Sequence, residues 1–181
     1  LIFAETFGEL GYTTYGHAVG LRDLGATQSP MNAFLTLLGI ETLPLRMDRH
    51  CANALTVAKY LLDHRAVTWI SYAGLESDPY HALAKRYLPR GAGAVLTCGL
   101  AGGYDAGVAM VEAVEMISHL ANIGDTRSLI IHPASTTHQQ MDAAALKAAG
   151  VGEDMVRMSV GLEDVRDLMD DLGGALRRSQ R

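Results

Sequence analysis

Apolar residues between Glu9 and Leu24 recur at helical spacing through Tyr12, Tyr15 and Val19, and the run stops at Gly25, a residue suited to ending a helix. The pattern predicts a first helix there. Ser29-Pro30 then reads as an N-cap followed by a first-turn proline, opening a long periodic stretch through Phe34, Leu37, Leu38, Leu43, Met47, Leu55, Ala58 and Leu62. Pro44 falls inside that stretch. Proline lacks an N–H and its ring crowds the preceding turn, so one kinked helix or two in series is expected, with the break near Leu43. Such a break is a natural junction between two domains.

After His64 the period changes from helix to sheet. Val67–Ser71, Ala94–Leu100, Ser128–Ile131 and Met155–Val160 read as strands. Helices are expected at 78–88, 105–117, 142–149 and 163–177 between and after them. The order α, α, β, α, β, α, β, α, β, α predicts an α/β architecture in which helices cover a small, mostly antiparallel sheet.

Composition narrows the function classes. The 181 residues are 49% hydrophobic and 19% charged, which suits a soluble globular domain with a buried core. The net charge is −5 with both signs interspersed and no basic run, so nucleic acid is not an expected partner. No apolar stretch is long enough to cross a bilayer, and no secretory leader pattern is present. Cys51 and Cys98 lie in apolar surroundings without metal-ligand spacing, which reads as two reduced thiols in a cytoplasmic protein. The chain opens at Leu1 in a partly apolar segment, which reads as the interior of a longer protein.

Three segments carry candidate chemistry. Gly91-Ala92-Gly93 and Gly99–Gly103 have glycines that could approach an anion, but neither completes a dinucleotide or P-loop pattern; turn glycines are the expectation. The segment 122–138 packs hydroxyls, His132, His138 and Arg127 around one short apolar strand. It reads either as a binding site or as a loop in which Ser135, Thr136 and Thr137 satisfy backbone groups. The two histidines fit no zinc spacing, so no metal is expected. Arg157 emerges from the otherwise apolar run Met155–Val160, and burying an unpaired guanidinium costs several kcal/mol. It either pairs internally with Glu153, Asp154 or Glu163 or clamps an anionic ligand, whose carboxylate its planar fork suits.

Several blocks together resemble the Cys/Met-metabolism family of pyridoxal-phosphate enzymes, in its O-acetylhomoserine sulfhydrylase branch. They are Gly20-Leu21-Arg22-Asp23-Leu24-Gly25, Ser29-Pro30-Met31-Asn32-Ala33-Phe34-Leu35, Gly39-Ile40-Glu41-Thr42-Leu43-Pro44-Leu45-Arg46-Met47 and His50-Cys51-Ala52-Asn53-Ala54. The segments Ser128–His138 and Asp154–Glu163 complete the set.

The resemblance implies the C-terminal small domain of a fold-type-I enzyme. Residues 1–43 would then be the tail of the large cofactor-binding domain and the start of a linking helix, with 44–181 the small domain. It assigns Arg157 to the α-carboxylate of an amino-acid substrate, Ser128 to a second contact beside it, and Arg127 to a position that tunes specificity. It implies pyridoxal 5'-phosphate as cofactor, sulfide or methanethiol as second substrate, homocysteine or methionine as product, and a homotetramer.

One departure accompanies it. The family's Schiff-base lysine sits in a Ser-x-Thr-Lys context, and the lysines here, Lys59, Lys85 and Lys147, lack those neighbours. No residue of this chain is therefore assigned to catalysis or covalent cofactor binding, and the chain by itself is expected to be inactive and to self-associate. Cystathionine γ-synthase, cystathionine γ-lyase and O-succinylhomoserine sulfhydrylase remain alternatives within the family. A non-catalytic assembly module is the alternative outside enzyme chemistry.

Overall fold

The computed structural model describes residues 2–181; Leu1 lies outside the described residues. The chain divides into two compact units, one reaching to Leu43 and one spanning Pro44–Arg181.

The first unit departs from the single helix expected over 9–24. It holds α1 (Ile2–Phe7), a 3₁₀ turn (Gly8–Leu10), α2 (Gly11–Tyr15) and a π-helical stretch (Gly16–Asp23). The reason is glycine. Gly8 adopts φ +53°, a conformation that ends α1 and that glycine tolerates without strain. Gly11 is buried where two backbone segments meet, and a Cβ there would lie 2.8 Å from the Phe3 carbonyl oxygen. Phe3 stacks on Phe7 and meets Tyr15 edge-on, with ring centroids 6.1 and 5.3 Å away. Helix α3 (Pro30–Glu41) begins as expected, with the Ser29 hydroxyl accepting the Asn32 N–H at 3.2 Å. Its apolar residues Met31, Phe34, Leu35, Leu37, Leu38 and Ile40 are all exposed.

The long periodic stretch is two helices rather than one: α3 stops at Glu41, and α4 (Leu43–Leu62) begins after Thr42. Pro44 stands in the first turn of α4, where its missing N–H leaves no hydrogen bond unmade.

In the second unit a five-stranded sheet is formed by β1 (Val67–Ser71), β2 (Val95–Leu100), β3 (Ser118–His119), β4 (Leu129–Ile131) and β5 (Met155–Ser159), in the order β1-β2-β5-β4-β3. All pairs are antiparallel except β3 with β4. Strand β3 was not expected; its two residues are too few to show a period. The remaining helices are α5 (His81–Tyr87), α6 (Gly103–Ala113), α7 (Ala143–Ala148) and α8 (Val165–Ser179). Helix α6 ends before the expected 117 because the Asp171 carboxylate of α8 accepts the N–H groups of Glu115, Met116 and Ile117 at 2.8–3.1 Å. Those donors leave the helical ladder for a stronger, charged acceptor.

Strand alternation sorts the sheet into two faces. Leu96, Cys98, Leu100, Ile130, Val156 and Met158 are buried in one core with Val57, Ala58 and Leu61 of α4, Met110 and Val111 of α6, and Leu168, Leu172 and Leu176 of α8. Thr97, Arg157 and Ser159 alternate with these and belong to the other face.

Candidate carboxylate-binding site

Arg157 is the central residue of β5, paired with Thr97 of β2 on one side and Ile131 of β4 on the other. Its neighbours Val156 and Met158 are fully buried, and they fix the direction in which the arginine projects. Arg157 is half-buried, and among the described residues its guanidinium has one hydrogen bond, a long one from Nη2 to the Asn122 carbonyl at 3.5 Å.

The acids that might have neutralised it are engaged elsewhere or form no ion pair. Asp154 Oδ2 accepts the Trp69 indole N–H at 2.7 Å. The Glu163 carboxylate accepts both the N–H and the hydroxyl of Ser128, at 2.6 and 2.9 Å. Glu153 forms no ion pair with Arg157, and its carbonyl accepts from His132. Among the described residues Arg157 therefore has no acidic partner, and the internal-pair reading does not hold. A permanent cation left partly buried without an acidic partner has its donors available to an anion.

Ser128 is fully buried and its hydrogen bonds are spent. Its hydroxyl donates to Glu163 and accepts the Gly161 N–H at 2.7 Å, so it has no proton left for a ligand. The structure thus gives Ser128 a partner other than the substrate carboxylate that the resemblance implies. Arg127 is exposed at the lip of β4, with its backbone N–H turned into an Asp125 side chain at 3.0 Å. Its side chain is free to face solvent or a ligand.

The segment from 122 to 128 is pinned against the end of β5. Gly124 N–H donates to the Ser159 hydroxyl at 3.3 Å and Leu162 N–H to the Thr126 carbonyl at 2.8 Å, alongside the Ser128–Glu163 bonds. Helix α4 closes this arrangement from below. His50 Nδ1–H donates to the Val160 carbonyl at 2.7 Å, and the Asn53 amide donates to the carbonyls of Gly161 and Glu163 at 3.0 and 2.9 Å. Arg49 reaches the Glu163 carbonyl at 3.2 Å. Gly161 has no room for a side chain, since a Cβ would run into Glu163 and the backbone of Arg127 and Ser128. Sequence reasoning missed this clamp, although the signal was present: His50 and Asn53 are polar residues three apart within the stripe that Ala54, Val57 and Leu61 continue.

The hydroxyl-rich segment resolves largely as a hydrogen-bonded loop. His132 is buried, with Nε2–H donating to the Glu153 carbonyl at 2.7 Å, which leaves Nδ1 to accept from Ser135 at 2.9 Å. Thr136 donates to the His132 carbonyl at 2.7 Å, whereas Thr137 pairs with the His138 ring instead of the backbone. Tyr104 meets the His132 ring edge-on. A cavity of about 400 Å³ between α4 and α5, lined by Cys51, Tyr72, His81, Lys85 and Arg90, contains none of Arg127, Ser128 and Arg157. Burial pushes the Tyr72 phenol up to about 12, with Cys51 adding to the shift.

A search against known families and proteins supplies the rest. A profile described as Cys/Met metabolism PLP-dependent enzyme matches residues 7–177. The chain belongs to that family. Family members similar to it include O-acetyl-L-homoserine sulfhydrylase 1 of Thermus thermophilus, 48% identical over 97% of this chain, and the homocysteine synthase of Schizosaccharomyces pombe, 47% identical over 97%. The chain spans 42% and 41% of the length of those two relatives. Among solved structures, an O-acetylhomoserine (thiol)-lyase of Campylobacter jejuni carrying a pyridoxyl-lysine phosphate adduct superposes with a TM-score of 0.84 at 38% identity, covering 92% of this chain and 39% of that one. A cystathionine γ-synthase of Xanthomonas oryzae in complex with aminoacrylate and cysteine gives 0.78 at 40% identity, covering 87% and 40%. The fold is that of fold-type-I pyridoxal-phosphate enzymes, of which this chain covers a part.

The family's cofactor needs a lysine amine beside an anion cradle, and the residues described here do not fit that requirement. Lys59, Lys85 and Lys147 are exposed on α4, α5 and α7. Gly102 and Gly103 open α6 with left-handed backbone, but Asp105 puts a negative charge in its first turn. At Gly99 a Cβ would run into Trp69 and Asp154, so the space a phosphate would need is filled.

Proposed function

We propose that this chain is the substrate-carboxylate-binding part of an O-acetylhomoserine sulfhydrylase, an enzyme that replaces the acetate of O-acetylhomoserine with sulfide or methanethiol. The observation that carries the reading is Arg157: a half-buried arginine on the sheet face opposite the core helices, with no acid paired to it among the described residues. Its role is to hold the α-carboxylate so that the reacting carbons stay in line, which converts binding energy into orientation. Arg127, exposed beside Arg157's segment, is the residue we assign to discrimination at the far end of the substrate. Ser128 acts by shaping the site, through its buried bonds to Glu163 and Gly161.

Pyridoxal phosphate supplies the electron sink for such chemistry when bound. In this reading residues 1–43 belong to the cofactor-binding large domain, and the groups that hold the cofactor lie outside the 181 residues. The chain alone is inactive, and the whole enzyme is a cytoplasmic homotetramer. Support for the sulfhydrylase branch comes from the names of the relatives at 48% and 47% identity.

A second reading within the same family is cystathionine γ-synthase, the activity of the structure that is 40% identical. The complete gene product assayed with O-acetylhomoserine or O-succinylhomoserine, against sulfide, methanethiol or cysteine, separates the two. Turnover of O-acetylhomoserine with sulfide or methanethiol supports the proposal; turnover with cysteine alone supports the second reading.

A further inference from the structure

We infer that Glu163 is a positioning residue for the carboxylate site, acting on Arg157 through the segment 122–128; this inference rests on the carboxylate-binding reading of Arg157. Three observations carry it. Among the described residues the Arg157 guanidinium donates one hydrogen bond, to the Asn122 carbonyl at the start of that segment. The other end of the segment, Ser128, is gripped by the Glu163 carboxylate through two hydrogen bonds, to its N–H at 2.6 Å and its hydroxyl at 2.9 Å. The base of Glu163 is itself immobilised, since its carbonyl accepts from Asn53 at 2.9 Å and Arg49 at 3.2 Å.

A carboxylate suits this grip because it offers one acceptor oxygen to each of the two Ser128 donors. Both groups of Ser128 meet Glu163 as donors, the N–H at one carboxylate oxygen and the hydroxyl at the other, while the hydroxyl oxygen accepts the Gly161 N–H. An amide at this position keeps one acceptor for the Ser128 N–H, but its NH2 faces the hydroxyl, which must turn its proton away and accept instead, and the negative charge behind both contacts is lost. Charge-assisted bonds of this kind are about twice as strong as neutral ones, so the loss falls on the most tightly held point of the segment. Glu163 also sequesters the proton of Ser128, which leaves Arg157 as the charged donor that meets the substrate.

The test uses the complete, cofactor-loaded enzyme with Glu163→Gln made alone and on an Arg157→Ala background, and reads KM and kcat for the amino-acid substrate. A residue acting through Arg157 loses its effect once Arg157 is gone. Glu163→Gln alone should raise KM about tenfold with kcat changed less than about threefold, and should lower kcat/KM less than about twofold on the Arg157→Ala background. Unchanged KM in the single variant, or an equal loss in both backgrounds, overturns the inference. Should Glu163→Gln not fold, Ser128→Ala removes the hydroxyl arm of the same grip and is read in the same two backgrounds with the same expectation. Normal kinetics in Arg157→Ala alone overturns the carboxylate reading itself, and that result is seen before Glu163 is touched.

Discussion

Replacing Asn53 with alanine should destabilise the second unit by about 3 kcal/mol, and the figure follows from which carbonyls lose a donor. The Asn53 amide, 2% exposed, donates to the carbonyls of Gly161 and Glu163. After truncation the Glu163 carbonyl keeps Arg49, so about 1 kcal/mol of net bond is lost there. No other donor to the Gly161 carbonyl is present among the described hydrogen bonds, and a buried carbonyl left without one costs roughly 1–3 kcal/mol. The sum is about 3 kcal/mol, and at 2–4 °C per kcal/mol for a chain of this size it lowers the melting temperature by about 6–12 °C. Thermal and urea unfolding of the 181-residue chain, followed by far-UV circular dichroism, measure it. Thr56→Ala on the exposed side of α4 is the control, with a change within about 0.5 kcal/mol. A shift below about 2 °C for Asn53→Ala would refute the claim that α4 clamps the 160–163 loop through this amide.

Other outcomes follow from packing and burial. Leu172→Ala empties a fully buried position on α8 and should cost about 2–5 kcal/mol by chemical denaturation. Gly107→Ala should destabilise the chain by about 1–3 kcal/mol although alanine is the better helix former, because a Cβ at 107 would run into the His132 ring; a rise in melting temperature would contradict this. Burial pushes the Cys98 thiol up to about 12, with Asp154 adding to the shift, so the reactive thiolate is scarce at neutral pH. Native-state alkylation at pH 8 read by peptide mass spectrometry should therefore label half-buried Cys51 before fully buried Cys98, and equal labelling of the two would show that the core opens.

Much of the second unit was legible because its signals are local. Val67–Ser71, Val95–Leu100 and Met155–Ser159 show the composition and alternation of strands, and the helical spacing over 142–149 and 163–177 anticipates α7 and α8. The early end of α6 was not legible, because it depends on a carboxylate from α8, 54 to 56 residues away in sequence. The broken helices of the first unit escaped for a different reason. Apolar spacing over 9–24 is helical, but Gly8 and Gly11 answer to backbone conformation and close approach, which periodicity does not register.

The site was legible in part. Arg157 stood out as a cation in an apolar strand, yet whether it was paired could be settled only by seeing where Asp154 and Glu163 go. Ser128 has hydrogen-bond partners that its place in the sequence does not reveal. The residue sits beside the arginine's segment, but its hydroxyl proton belongs to Glu163.

The central claim is that Arg157 receives the substrate carboxylate, and the most direct measurement is kcat/KM for O-acetylhomoserine in the complete enzyme with Arg157→Ala. Loss of one charged hydrogen-bonding partner worth about 3 kcal/mol predicts a fall of roughly 150-fold, in a protein whose fold and cofactor loading are unchanged. Kinetics within about threefold of the unsubstituted enzyme would contradict the account.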